Sequence, residues 1–260
     1  MEMKRIKKKT SFLILILLLI GLAIVFRFDN RKVVVDSTYS TTIDVIKTKT
    51  NSKINSNNSN NQKKQKEYVS PINKLRQKYK NNDIKAELKI DYLGIDVVIT
   101  QSSNNSYYLN HDAYKKENEL GSVYLDYRTG NNLDKERQLN IYSHNSNIEK
   151  YQKKLPFSQL KKLLTKNNFE NVNNIYLYTS DRVIEYEVYA IKIVEKDKEH
   201  MILDASNDDL WQSHLDKLLT NTKLCKGKCK LSKNDNLLIL QTCNYNPVNS
   251  YIVLITRKVK

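Results

Sequence analysis

Three cysteines and four histidines are the side chains of this 260-residue chain best suited to nucleophilic or proton-transfer chemistry, and all three cysteines fall after residue 220. Cys225 and Cys229 share a glycine-containing loop, CKGKC, while Cys243 ends an apolar run, LLILQTC. Outside the cytoplasm, two cysteines in one loop can pair and leave the third over. The alternative for the pair is half of a zinc site, but no second Cys or His pair has metal-ligand spacing, so no metal is expected. Cys243 reads either as a nucleophilic thiolate or as a buried structural thiol.

A thiol nucleophile needs a neighbour to take its proton, and near neutral pH imidazole is the usual one. His214 lies in the apolar stripe of a helical segment and reads as a packing residue. His200 follows the charged run KDKE, and His111 sits in YYLNHDAY, where a local hydrogen bond in a turn accounts for it. His144 differs: it ends a β-type run, QLNIYSH, and opens the polar loop NSN. Two side chains at neighbouring strand ends form a site that a sheet holds rigidly.

The elements that must position such a pair are legible as short runs rich in Val, Ile and Tyr: AELKI, IDVVIT, SVYLDY, QLNIYS, NIYLYT, VIEYEVYAIKIV, NLLILQT and SYIVLIT. Helices are expected at Ile72–Tyr79, where apolar residues fall at i, i+3 and i+7, at Phe157–Leu164, and at Asn207–Leu219. In the last of these, Leu210, Trp211, His214, Leu215, Leu218 and Leu219 form one stripe. The sum is a mostly antiparallel β domain with helices inserted between strands.

Ahead of this domain the composition changes twice. Residues 1–10 are a basic tail, and residues 11–27 hold the uncharged run SFLILILLLIGLAIVF. Sixteen helical residues span about 24 Å, slightly less than a bilayer core. With no A-x-A-like cleavage site, an uncleaved signal anchor is favoured over a cleaved signal peptide, with the N-terminus cytoplasmic. Residues 28–71 are rich in Ser, Thr, Asn, Lys and Gln and read as an extracellular polar linker. The folded domain is expected at 72–260.

The net charge of +16 raises the question of nucleic acid, but residues 1–70 carry 14 basic and 5 acidic side chains, more than half of the excess. No nucleic-acid partner is expected, and a tethered polyanion binder ranks last among the functional readings. The five glycines, Gly21, Gly94, Gly121, Gly130 and Gly227, lie too far apart for a dinucleotide or phosphate-cradling loop, so nucleotide chemistry is excluded.

Four segments in order carry a resemblance: YYLNHDAY (107–114), GSVYLDYR (121–128), NIYSHN (140–145) and LILQTCNY (238–245). Together they resemble the class B sortases, membrane-anchored cysteine transpeptidases of Gram-positive bacteria, from about residue 72 onward. The resemblance implies a closed β-barrel with inserted and N-terminal helices. It implies Cys243 as nucleophile and His144 as general acid/base, with Thr242, Gln241 and Ser250 at the substrate groove and no cofactor. The implied partners are secreted proteins bearing a C-terminal sorting signal and, as acceptor, a peptidoglycan-precursor or pilin amine.

The chain departs from the family pattern in three places. Ser143 stands where Gly is usual, and Gln241 stands where Ser is usual, reading either as altered sorting-signal preference or as neutral drift. The family's arginine, which supports the substrate backbone and the oxyanion, aligns with Ser250. Arg257 is about 23 Å further along the strand and is rejected as a substitute; Arg128 and Arg182 are the loop alternatives. A weakly active or inactive module that only binds sorting signals is therefore the alternative reading. If position 250 is the defect, Ser250→Arg raises the rate.

Overall fold

The computed structural model describes residues 68–172, 174–196 and 206–259. The apolar block, the polar linker up to 67 and His200 lie outside the described residues. Among the described residues no helix is long and apolar enough to cross a membrane.

Among the described residues nine strands form one sheet: β1 (Ile84–Ile90), β2 (Ile95–Thr100), β3 (Tyr124–Leu125), β4 (Gln138–Ser143), β5 (Ile175–Tyr178), β6 (Val183–Glu195), β7 (Leu224–Cys225), β8 (Leu237–Asn244) and β9 (Ser250–Lys258). Their order is β5-β1-β2-β3-β4-β8-β9-β6-β7, and a further β5–β6 pairing closes eight of them into a barrel with β7 appended. Closure leaves no unpaired edge among the eight. Most neighbours are antiparallel; β2–β3 and β4–β8 are parallel.

Strict alternation builds the interior. In β1, Ile84, Ala86, Leu88 and Ile90 are all fully buried while the residues between them are half-buried. Ile99, Leu139, Ile141, Leu238, Leu240, Ile252 and Leu254 join Ala86, Leu88 and Ile90 in one barrel core. The opposite faces of β8 and β9 supply a second core: Leu237, Ile239, Val253 and Ile255 meet Trp211, Leu215 and Leu218. A bulge between Val188 and Ala190 lets β6 serve both cores, with Val188 and Ile191 inside and Tyr189 and Ala190 outside.

Among the described residues four α-helices accompany the sheet: α1 (Ile72–Tyr79), α2 (Glu149–Gln152), α3 (Lys166–Asn171) and α4 (Asp208–Leu219). Asn207 caps α4, its side chain accepting from the backbone N–H groups of Asp209 and Leu210. Leu210, expected in the buried stripe of α4, is 60% exposed. It lies one residue, about 100° of helix rotation, off the line of Trp211, Leu215 and Leu218 that meets the sheet. The segment Pro156–Leu164 is a 3-10 helix rather than an α-helix. Phe157, Leu160 and Leu163, all fully buried in the barrel core, recur every three residues, which is the 3-10 period. Chain contacts begin ahead of α1, where the Tyr68 hydroxyl and Ser70 Oγ both donate to the Thr179 carbonyl, at 2.9 and 2.7 Å.

Candidate active site

Cys243 is the penultimate residue of β8, half-buried, and the one free cysteine among the described residues. The parallel β4–β8 register runs from Gln138 opposite Leu237 to Ser143 opposite Thr242. The next residues on the two strands are His144 and Cys243, so the register brings the two sequence candidates side by side. Strand alternation puts Cys243 on the face of Ile239 and Gln241, outside the barrel, and turns Thr242 inward with Leu238 and Leu240. Thr242 Oγ1 donates to the Ser143 carbonyl at 2.7 Å, tying β8 to β4 from within. Gln241, 6% exposed, shares the face of Cys243.

His144 Nε2 lies 2.7 Å from the Leu109 carbonyl oxygen. A carbonyl only accepts, so Nε2 carries a hydrogen, and Nδ1 is the nitrogen left for acid/base exchange. The Leu109 segment is held by Gly121, at φ +59°, where an added Cβ would stand 2.6 Å from the Leu109 oxygen. Only glycine allows that approach.

Asn145 stitches the two strand ends together. It is 8% exposed; its Nδ2 donates to the Cys243 carbonyl at 2.8 Å, and its Oδ1 accepts from Ser158 Oγ at 2.6 Å. The Tyr245 hydroxyl donates back to the Asn145 carbonyl at 2.9 Å. Burial, and then the neighbouring Cys243, push the Tyr245 phenol above its ordinary range. Asn145 and Tyr245 fall inside recognisable motifs, NIYSHN and LILQTCNY, but their roles depend on contacts across about 100 residues of sequence. Leu109 acts through its backbone and leaves no signal in its side chain.

Ser250 is not beside Cys243. The antiparallel β8–β9 register pairs Ser250 with Asn244 and Cys243 with Tyr251. Ser250 therefore points to the opposite face from Cys243, is 1% exposed, and donates from Oγ to the Pro247 carbonyl at 2.6 Å while accepting from Asn244 Nδ2 at 3.0 Å. Its work is to hold the 244–250 turn, which contains a cis Asn246–Pro247 bond. Tyr251 is the residue cross-strand from Cys243, whereas the family's arginine aligns in sequence with Ser250.

No arginine among the described residues takes that place. Arg128 forks onto Asp126 (Nε to Oδ1 2.7 Å, Nη2 to Oδ2 2.6 Å), and Arg137 pairs with Asp208. Arg182 faces Asp134, and Arg257 faces Glu187. Arg76 Nε donates to the Ile84 carbonyl. Arg257 does share the face of Cys243, but it pairs with Leu237, six residues or about 20 Å down β8.

The Arg128–Asp126 pair supports β4 from the side. Asp126 also accepts from the Tyr142 hydroxyl at 3.0 Å and from Asn105 Nδ2 at 3.0 Å. Burial raises the Asp126 carboxyl, but the hydrogen bonds from Arg128, Asn105 and Tyr142 outweigh it and hold the group down at about 2. A carboxylate with a depressed folded pKa stabilises above its unfolded value near 3.9, and that stability is lost as the pH falls towards 2. Asp126→Asn is expected to cost about 2 kcal/mol at pH 7 in urea unfolding and to cost little by pH 2. A pH-independent difference would show that Asp126 acts through packing instead.

His214, 9% exposed, stacks on Trp211 and lies with Nε2 2.8 Å from Gln138 Oε1, as a packing residue does. His111 stacks on Tyr107 and contacts the Tyr107 carbonyl through Nδ1, within its own loop. Cys225 and Cys229 are joined in a disulfide, which sets aside the zinc half-site. Among the described residues no group of three or more His, Cys, Asp or Glu side chains could hold a metal ion.

A model of the sortase domain matches residues 88–258 of the chain. The chain belongs to the sortase family. Sortase B of Listeria monocytogenes is 28% identical over 166 residues, covering 63% of this sortase and 64% of that protein. Thus the match spans slightly less than two thirds of the relative's length. Among solved structures, sortase B of Clostridium perfringens superposes with a TM-score of 0.65 at 23% identity, over 72% of this chain and 99% of the other. A Staphylococcus aureus sortase B–substrate complex gives 0.64 at 21% identity, over 75% and 87%. These neighbours share the class B barrel described above, and the expected fold class holds.

Proposed function

We propose that this sortase is a cysteine transpeptidase that cleaves the C-terminal sorting signal of secreted proteins and passes the acyl group to a cell-wall or protein amine. One observation carries the reading: the β4–β8 register that seats His144 beside Cys243, with Asn145 clamping the Cys243 carbonyl. The Cys243 sulfur attacks the scissile carbonyl carbon and the thiol proton passes to His144. His144 then gives a proton to the leaving amine as the C–N bond breaks, and a thioester forms. An incoming amine attacks the thioester, loses its proton to His144, and the thiol returns as a new amide forms. Gln241, buried on the same face, would shape the groove, and Thr242 would act as a strand brace. Residues 11–27 would anchor the protein with the catalytic domain, 72–260, outside the membrane and residues 28–71 as the tether.

The test is mass spectrometry of the full-length protein after brief exposure to a pool of candidate sorting peptides. Wild type is expected to gain an acyl mass on Cys243 that hydroxylamine removes, and a small amine is expected to convert it to amide product. Absence of any such adduct across the pool, or an equal adduct on Cys243→Ala, sinks the mechanism.

A second reading has its own observation, the engagement of all five described arginines away from Cys243. It casts the protein as a slow or inactive module that binds a sorting signal. Peptide binding with no thioester would favour it.

A further inference from the structure

Forming a thioester places negative charge on the attacked carbonyl oxygen, and with the five described arginines engaged elsewhere another source of positive potential is needed there. The sheet register points to one. Cys243 on β8 is opposite Tyr251 on β9, and Tyr251 is opposite Val194 on β6. The three residues form one row across the outer face, spanning two inter-strand spacings, about 10 Å. Lys196 follows the end of β6 two residues after Val194, and its backbone N–H donates to the Asn249 carbonyl at 3.2 Å, continuing the ladder beyond the row. Its ammonium nitrogen lies 5.3 Å from the centroid of the Tyr251 ring. That is cation–π distance, so the ammonium of a residue beyond the strand end reaches the ring of Tyr251, the residue cross-strand from Cys243.

Resting on the thioester reading above, we propose that Lys196 is the cation of this active site, held over the Tyr251 ring so that its charge faces the sulfur and acyl oxygen at Cys243. Tyr251 is the positioning residue and Lys196 the charged one. The pair occupies the side of Cys243 away from His144, since β9 and β4 flank β8 on opposite edges. Acid/base chemistry and charge stabilisation thereby approach the thiol from different strands. An ammonium on an exposed stem is screened by salt, so its contribution is smaller than the 10²–10³ of a buried oxyanion donor; about tenfold in acylation rate is expected.

The test reads the potential at Cys243 without a sorting peptide. Cys243 in the full-length protein is alkylated in parallel with neutral iodoacetamide and anionic iodoacetate, and the rate ratio of the two is compared between variants at low salt. Lys196→Met is expected to lower the iodoacetate-to-iodoacetamide ratio about three- to tenfold. Lys196→Arg and Tyr251→Phe, which keep the charge and the ring, hold it near wild type, while Tyr251→Ala lowers it. The wild-type difference should shrink in 1 M salt, where the Debye length is about 3 Å. An unchanged ratio in Lys196→Met, or equal loss in Lys196→Met and Lys196→Arg, overturns the assignment. Because alkylation needs only the thiol, failure here leaves the peptide thioester test standing, and failure of that test leaves this one readable.

Discussion

His144→Ala is expected to slow acyl transfer to Cys243 by about 10³-fold while leaving the barrel folded. General acid/base catalysis contributes about 10²–10⁴, and in the proposed mechanism one imidazole serves both the leaving amine and the incoming one. The structural loss is small, because His144 is half-buried just past the end of β4 and its one bond from Nε2 to the Leu109 carbonyl is worth about 1 kcal/mol. Single-turnover acylation with the same peptide, read by mass, separates the two effects, and urea unfolding monitors the fold. The wild-type acylation rate should carry a pH limb that the variant lacks. Acylation within tenfold of wild type, or the same pH profile in both proteins, would falsify the assignment of His144. Gly121→Ala offers a milder version: pushing the Leu109 carbonyl away should lower the rate without touching either side chain of the pair.

Ser250→Arg is expected to destabilise the protein by about 3–5 kcal/mol and to leave the acylation rate of the folded fraction unimproved. Position 250 is 1% exposed and on the face opposite Cys243, so a guanidinium there is buried without a carboxylate and displaces the bonds that hold the 244–250 turn. A lowered urea midpoint with unchanged slope is the signature. Tyr251→Arg is the informative contrast, since position 251 is cross-strand from Cys243 and half-buried. Stability near wild type together with faster acylation in Ser250→Arg would mean that the β8–β9 register differs from the one described.

That contrast marks where sequence reading stops. The strands were legible because alternation in segments such as IKAELKI is a local signal, and the neighbouring placement of Cys243 and His144 was legible because each sits in a motif at a strand end. The place of Ser250 opposite Asn244 was not legible, because counting from a motif does not say which residue lies across the ladder. A turn of different length shifts the cross-strand partner by one, and one residue turns a side chain to the other face. Asn145 and Ser158 meet only because β4, β8 and the Pro156–Leu164 helix converge. Phe157, Leu160 and Leu163 carry a period of three, which is the local signal that this helix is a 3-10 one.

The two faces of β8 belong to different parts of the molecule. Leu238, Leu240 and Thr242 serve the barrel, whereas Ile239 packs with α4, and Gln241 and Cys243 share its side of the strand. One short segment therefore faces two cores, the barrel on its even-numbered side and α4 on its odd-numbered side, with Cys243 at the open end of the latter. On the odd-numbered face only the last stretch of the strand, Gln241 and Cys243, lies beyond the α4 core that Leu237 and Ile239 fill, so substitutions there disturb the least packing.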